Sequence, residues 1–304
     1  MSLALLFPGQ GAQRPHMLRD LPASPAVSAV IDEAGCRVDE LDSAAALAST
    51  VNVQLALVIA GVASARALVD EHGLDPEFVA GHSVGAFAAA VTAGVLTLAE
   101  ALAAVELRGR SMEDACAQGN WGMSAVSGLP TRAAAELVRR VATDDDPLWV
   151  ANVNGATQTV VSGTDRALRR AADAARGAGA QSCERLDVAV SSHCPIQEDT
   201  ARVIAEHLAP LPRRRPTRRY LTNTGGRITT SAEVVLDDLA TSVARPVRWY
   251  DGTRLLGELG VSSAVETPPG HVLTRLLASA VPSARAISVT DDGFEAAARL
   301  AVRE

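Results

Sequence analysis

The chain has 304 residues, of which 48% are hydrophobic, so it is long enough to bury a large core as one large domain or two modest ones. Its formal net charge of -7 argues against a nucleic-acid-binding surface. All 28 positively charged residues are arginines, and the absence of lysine excludes Schiff-base chemistry, pyridoxal phosphate attachment and a P-loop lysine.

The cysteines and the N-terminus bear on compartment and metal binding. The four cysteines show no C-x-x-C spacing, which predicts neither a zinc site nor a disulfide framework: Cys36, Cys116, Cys183 and Cys194. The apolar run 3–7 has no basic region before it and no cleavage site after it, which indicates a first strand rather than a signal peptide. No segment reaches about 18 uninterrupted apolar residues. We therefore expect a cytoplasmic protein that binds no metal and does not enter a membrane.

The first segments along the chain predict alternating strands and helices. The uniformly apolar run 3–7 is typical of a strand covered on both faces in a parallel sheet. The glycine-rich loop 8–13 follows it; such loops at the carboxyl ends of parallel strands often bind ligands, although an ordinary tight turn fits equally. Helices are predicted around 26–34 and 51–72, and a short strand at 78–80.

The sequence around Ser83 has the form of a nucleophile elbow. The pentapeptide 81–85, Gly-His-Ser-Val-Gly, matches G-x-S-x-G, follows an apolar run and precedes an alanine-rich stretch that is typical of a buried helix. Glycines two residues before and after the serine permit the close backbone approach that this turn requires. Short matches of this kind also arise by chance in Gly- and Ala-rich chains, so both interpretations are open from the pattern alone.

Arg108 lies on a predicted helix that begins at the T-x-x-E capping box 97–100 and runs to about residue 116. Ala101, Val105, Arg108 and Met112 share one face at helical spacing, so Arg108 is expected to point inward. A buried guanidinium requires a carboxylate partner. That partner is either a ligand's carboxylate or an Asp or Glu of the protein itself.

The middle of the chain predicts a small inserted domain. Strands at 123–127, 148–154, 159–162 and 181–186 alternate with helices at 131–141 and 165–176 in the β-α-β-β-α-β order of a ferredoxin-like unit. After it the chain returns to α/β alternation, with strands at 219–222, 264–266 and 286–289 and helices near 249–259, 271–280 and 294–302. We therefore expect an α/β protein with a discontinuous large catalytic domain, residues 1–120 and 188–304, and a small ferredoxin-like domain, residues 121–187. The large domain should resemble an α/β-hydrolase and contain a parallel sheet.

His193 is the best general-base candidate for Ser83. It lies where the small domain returns to the large one, and domain boundaries commonly contain sites. His82 is adjacent to the serine, where geometry rarely lets a residue act as its base. The remaining histidines lie in less suggestive settings: His16, His72, His207 and His271. A lone histidine is more often structural, so this assignment depends on Ser83.

Taken together, these motifs resemble the malonyl-CoA:acyl carrier protein transacylase family over nearly the whole chain. Each matching segment is weak alone, but their joint occurrence in this order is specific. The segments are Phe7-Pro8-Gly9-Gln10-Gly11-Ala12-Gln13, Gly81-His82-Ser83-Val84-Gly85, Leu107-Arg108-Gly109, Ala151-Asn152-Val153-Asn154, Ser192-His193, Pro246-Val247-Arg248-Trp249 and Pro269-Gly270-His271-Val272-Leu273.

The resemblance implies a catalytic apparatus. Ser83 would be the acyl-accepting nucleophile and His193 its base. The backbone N–H groups of Gln10 and Val84 would form the oxyanion hole. The backbone carbonyl of Ser242, in place of an aspartate, would orient the histidine.

The resemblance also implies substrates. Arg108 would bind the free carboxylate of the malonyl group, and His82, Asn152 and Asn154 would lie at the substrate. Malonyl-CoA would be the donor and the phosphopantetheine-type thiol of an acyl carrier protein the acceptor, without a further cofactor.

Departures from the common family pattern indicate a branch. Ala86 stands where the family commonly has Glu, and Ser191 replaces a frequent proline. The combination of Ala86 with segments 14–17 and 266–271 resembles the epsilon (transacylase) subunit of malonate decarboxylase. The carrier protein of that enzyme bears a phosphoribosyl-dephospho-CoA group. Malonyl transfer within malonate decarboxylase is therefore the expected function. The alternatives are a transacylase of fatty-acid or polyketide synthesis, a serine thioesterase, and a non-catalytic subunit that docks a carrier protein.

Overall fold

The computed structural model describes residues 2–35 and 38–303, so Cys36 lies outside the described residues. The strands are β1 (Ser2–Phe7), β2 (Phe78–Gly81), β3 (Trp121–Ser127), β4 (Leu148–Gly155), β5 (Gln158–Thr164), β6 (Ser182–Arg185), β7 (Arg219–Leu221), β8 (Ile228–Thr229), β9 (Val261–Glu266) and β10 (Arg285–Ser288). The helices are α1 (Pro25–Ala34), α2 (Val38–Leu41), α3 (Thr50–Arg66), α4 (Gly85–Thr92), α5 (Leu98–Cys116), α6 (Thr131–Val141), α7 (Asp165–Gly177), α8 (Glu198–Leu208), α9 (Ala232–Thr241), α10 (Trp249–Glu258), α11 (Val272–Ala280), α12 (Val289–Asp292) and α13 (Phe294–Ala301). Single 3₁₀ turns lie at Ala46–Ala48, Pro195–Gln197 and Ser242–Ala244.

The larger sheet has six strands in the order β10-β9-β1-β2-β7-β8. All neighbouring strands are parallel except β8, which is antiparallel to β7. β1 lies inside the sheet and is buried along nearly its whole length, as its uniformly apolar sequence predicts. The carboxyl ends of β1 and β2 therefore meet at one edge, where the glycine-rich loop and the elbow lie side by side.

Helix α3 forms the core on one face of this sheet. Together with the π-helical turn Ala67–Glu71 it is the one stretch in the described residues long and apolar enough to cross a membrane, and 78% of its apolar 18-residue window is buried inside the protein. Against it packs α5, at a point where a Cβ added to Gly109 would lie 2.8 Å from the Val51 Cα. This close approach fixes the position of α5, the helix that carries Arg108.

The smaller sheet is antiparallel, with the order β4-β5-β3-β6, and α6 and α7 pack against it. This is the strand order of a ferredoxin-like unit. The prediction of an α/β fold with a parallel sheet and a second, smaller sheet is confirmed. All four strands lie within 121–187, and the division of the chain into two domains at those boundaries stays a prediction.

Four helices and one strand were missed by the sequence analysis: α2, α8, α9, α12 and β8. For α9 a signal existed, because the side chain of Ser231 accepts a hydrogen bond from the Val234 N–H and caps the helix. In the arginine-rich segment 213–219, Arg214 forms an ion pair with Glu100 and Arg219 forms an ion pair with Glu77.

Candidate active site

The turn at Ser83 is a nucleophile elbow in three dimensions. Ser83 has a φ of +55°, in the left-handed region, and joins the end of β2 to the start of α4. A Cβ on Gly81 would lie 2.1 Å from the Gly85 carbonyl carbon, and one on Gly85 would lie 2.2 Å from the Phe7 oxygen. Only glycine fits at either position, so the pentapeptide is not a chance match.

His193 lies beside Ser83 and is held by backbone carbonyls. Its Nε2 is 2.8 Å from the Ser83 Oγ, and its Nδ1 is 2.6 Å from the Ser242 carbonyl oxygen. A carbonyl only accepts, so Nδ1 carries the proton and Nε2 accepts from the serine hydroxyl. The His193 backbone, at a φ of +59°, also donates its N–H to the Val243 oxygen at 2.6 Å. The ring is thereby oriented without a carboxylate.

Burial keeps the His193 imidazole neutral. Loss of solvation, followed by the nearby positive charge of Arg108, lowers the pKa of His193 to about 3. At neutral pH the ring is therefore in its basic form and can take a proton from the serine. A bound anion at Arg108 would offset the second of these effects.

Arg108 is 1% exposed and has no carboxylate partner among the described residues. One terminal nitrogen donates to the Gln54 Oε1 at 2.7 Å, and the other lies 3.2 Å from the Ser83 Oγ. The Nε is buried without a hydrogen-bond partner in the described structure. Burial lowers the pKa of Arg108 to about 10, so the side chain remains charged at neutral pH. The alternative of an internal ion pair is therefore wrong, and this cation is available to a ligand.

A cavity of about 380 Å³ opens between the two sheets at this point, and Ser83, His193 and Arg108 line it. Gln10 lines the cavity and Val84 follows Ser83 directly at the start of α4, and neither backbone N–H donates to an acceptor in the described part of the chain. The Ser83 N–H, in contrast, is occupied by the side chain of Asn223 at 2.9 Å. The assignment of the Gln10 and Val84 N–H groups to the oxyanion hole stays a prediction.

His82, Asn152 and Asn154 form a polar group on another wall of the cavity. The His82 Nε2 lies 3.1 Å from the Asn154 Oδ1 and 3.4 Å from the Asn152 Nδ2. Its ring packs edge-on against Trp249, with 5.4 Å between ring centroids. Burial lowers the pKa of His82, which keeps it neutral, and its ring nitrogen is engaged by asparagines rather than by Ser83.

Three buried residues at the site were not singled out from the sequence. Gln54, on the apolar helix α3, holds Arg108, while Asn223 and Asp238 form hydrogen bonds behind Ser83. Gln54 could have been noticed as one of the few polar residues in the mostly apolar helix α3. The described residues contain no group of three or more His, Cys, Asp or Glu side chains that could hold a metal ion.

A parallel α/β sheet, an elbow serine, a carbonyl-oriented histidine and a free cation define a serine-dependent acyltransferase fold and site. The chain belongs to the acyl transferase domain family, whose model matches residues 4–292. It is 32% identical over 303 residues to the malonyl CoA-acyl carrier protein transacylase of Escherichia coli K12, covering 97% of this chain and 98% of that one.

Solved structures agree with this membership. The malonyl CoA-acyl carrier protein transacylase from Coxiella burnetii superposes with a TM-score of 0.92 at 30% identity, covering 99% of this chain and 96% of that one. A malonyl-transacylase in complex with its type II polyketide acyl-carrier protein superposes with a TM-score of 0.92 at 33% identity, covering 99% of both chains. The resemblance to the malonyl-CoA:acyl carrier protein transacylase family is confirmed.

Proposed function

We propose that this protein transfers the malonyl group of malonyl-CoA, through malonyl-Ser83, to the thiol of an acyl carrier protein of fatty-acid or polyketide synthesis. The observation that carries the proposal is the Arg108 guanidinium, which is buried, charged, without a carboxylate partner and 3.2 Å from the Ser83 Oγ. An acyl group that reacts at Ser83 and carries a free carboxylate would supply the missing partner. Malonyl is such a group.

The first half-reaction acylates the serine. His193 takes the proton from the Ser83 hydroxyl as its oxygen attacks the thioester carbonyl. The N–H groups of Val84 and Gln10 hold the resulting oxyanion. When the tetrahedral intermediate collapses, the carbon–sulfur bond breaks, and the departing CoA thiolate takes the proton from His193.

The second half-reaction reverses these roles. The carrier's thiol gives its proton to His193 and attacks malonyl-Ser83, and the Ser83 oxygen leaves and regains the proton. The transfer requires no cofactor beyond malonyl-CoA and the carrier's thiol. Discrimination follows from Arg108, because an acyl group without a carboxylate leaves a buried cation unpaired.

The choice of carrier rests on the comparisons. The E. coli relative is named for acyl carrier protein, and the complex contains a polyketide carrier. They support the alternative of fatty-acid or polyketide synthesis better than the expected malonate decarboxylase. Two of the residues that suggested malonate decarboxylase also have structural roles. Ala86 is buried in α4, and Glu266 accepts hydrogen bonds from the Leu273 and Thr274 N–H groups at the start of α11. The cytoplasmic location stays a prediction.

Intact-protein mass spectrometry tests the proposal. The parent chain and Ser83→Ala are incubated briefly with malonyl-CoA or acetyl-CoA. A malonyl-sized adduct on the parent alone is expected. Release of CoA without an adduct would favour a thioesterase, and the absence of both would favour a docking subunit.

The carrier is then identified by chase. The malonyl-enzyme is mixed with a carrier that bears phosphopantetheine, or with one that bears the phosphoribosyl-dephospho-CoA group. Faster transfer to the phosphopantetheine carrier is expected. Faster transfer to the second carrier would restore the malonate decarboxylase assignment.

A further inference from the structure

The side chain of Asn223 forms hydrogen bonds with the backbone at both Gly81 and Ser83 of the elbow. Its Oδ1 accepts the Ser83 N–H at 2.9 Å, and its Nδ2 donates to the Gly81 carbonyl oxygen at 2.9 Å. Asn223 is 2% exposed, so no solvent competes for these bonds. One amide group therefore satisfies the backbone on both sides of His82, at the turn where Ser83 holds a disfavoured left-handed conformation.

Asp238 holds Asn223 in turn. Its Oδ2 accepts the Asn223 N–H at 2.8 Å, while its Oδ1 accepts the N–H of Thr224 at 2.9 Å and the Thr224 hydroxyl at 2.8 Å. The Asn223 carbonyl accepts the Arg248 N–H at 2.7 Å. The backbone of Asn223 is thus fixed on both sides, and its amide has a defined direction.

The same segment of chain also holds the base. Asp238 lies on α9, which leads directly into the turn Ser242–Ala244. The carbonyl oxygens of Ser242 and Val243 are the two that fix His193. A displacement of this segment would therefore move the serine and the histidine together.

We propose that Asn223, fixed by Asp238, is a positioning residue that sets the geometry between Ser83 and His193. It holds the left-handed turn, and it occupies the Ser83 N–H so that the oxyanion must use the neighbouring Val84 N–H. This inference rests on the proposed function only in taking Ser83 as the nucleophile. It does not depend on which acyl group is transferred.

The test uses a fluorophosphonate probe, which reacts with an activated serine and needs no malonyl group. Asn223→Ala and Asn223→Asp are compared with the parent chain and with Leu137→Ala, a buried substitution between α6 and the smaller sheet. We expect the Asn223→Ala labelling rate to fall at least about tenfold. The KM for malonyl-CoA should change less than about twofold while kcat falls. Leu137→Ala should lower the melting temperature without slowing labelling.

Asn223→Asp adds a pH signature. A protonated carboxyl group offers the same donor and acceptor as the amide, whereas a carboxylate loses the donor to the Gly81 oxygen. Its charge would also face Asp238, which holds the backbone of the same residue. We therefore expect the labelling rate of Asn223→Asp, divided by that of the parent, to rise as pH falls from about 9 to about 5.

Labelling within twofold of the parent for Asn223→Ala, or a pH-independent ratio for a slowed Asn223→Asp, would overturn the proposal. An equal fall in the labelling rate of Leu137→Ala, at an equal fall in melting temperature, would also overturn it. So would failure of both Asn223 variants to fold, because a positioning role leaves the fold intact. The two proposals fail separately. A parent that reacts with the probe but forms no malonyl adduct refutes malonyl transfer alone, and the labelling comparison still decides the role of Asn223.

Discussion

Replacing Arg108 by methionine removes a charge that lines the cavity while keeping a side chain of similar length. Arg108 is buried, pairs with no carboxylate in the described structure, and reaches both Gln54 and the nucleophile. We expect the variant to lose its preference for malonyl over acetyl groups. The acylation rate should fall with malonyl-CoA but not with acetyl-CoA, because an acetyl group has no carboxylate to pair with the cation.

The size of the effect follows from the burial of Arg108. Two unit charges about 4 Å apart at an effective dielectric constant of about 20 attract by about 4 kcal/mol. Breaking a buried charged pair by removing one partner costs about 3–5 kcal/mol. Taking about 3–4 kcal/mol, the acylation rate with malonyl-CoA should fall about 100- to 1,000-fold. The melting temperature should change little, because removal of a desolvated cation without a carboxylate partner offsets the lost hydrogen bond to the buried Gln54 side chain.

The assay is rapid-quench formation of acyl-Ser83 with malonyl-CoA and with acetyl-CoA, measured on Arg108→Met and on Arg110→Gln. Arg110 lies on the same helix but is 66% exposed and pairs with Glu106, so its replacement should change neither rate. Retention of malonyl preference in Arg108→Met, or an equal loss with both substrates, would show that the cation does not bind the acyl carboxylate.

Further predictions concern the elbow, the base and the buried thiol. Gly81→Ala should prevent formation of the elbow, as judged by melting temperature and serine labelling, whereas Gly177→Ala, where an added Cβ meets nothing within 4 Å, should be neutral or stabilising by up to about 1 kcal/mol. Because the pKa of His193 is about 3, its ring is neutral well above that pH, and the acylation rate should be nearly independent of pH there. Arg108→Met removes a positive charge and should raise the pKa of His193, so the loss of acylation rate at acidic pH should begin at a higher pH. In the unfolded state His193 has its ordinary pKa near 6.5, so as pH falls from about 6.5 to about 3 the unfolded state binds a proton at His193 that the folded state does not, and the folded state loses stability. His193→Gln should therefore reduce this loss, as measured by urea unfolding across that pH range. Burial raises the pKa of Cys194 to about 12, so its thiol should resist alkylation at pH 8, and Cys194→Ala should keep acylation within about twofold; rapid alkylation of the native protein would contradict this.

Local sequence determined most of the elements because their causes are local. Glycine spacing and an apolar run predicted the elbow at Ser83, and the capping box at Thr97 marks the helix that carries Arg108. Helical periodicity alone placed Arg108 inward, where it is 1% exposed. The β-α-β-β-α-β order likewise predicted the smaller sheet.

The tertiary structure decided which groups meet. Whether Arg108 would find an internal carboxylate could not be read from its helix, because its neighbours Gln54 and Ser83 are 54 and 25 positions away along the chain. Asn223 lies 140 positions from the serine whose N–H it accepts, and no periodicity or spacing predicts such a contact. Periodic patterns report which face of an element is buried. Hydrogen-bond partners across the core depend on how the elements pack, and only the folded chain fixes that.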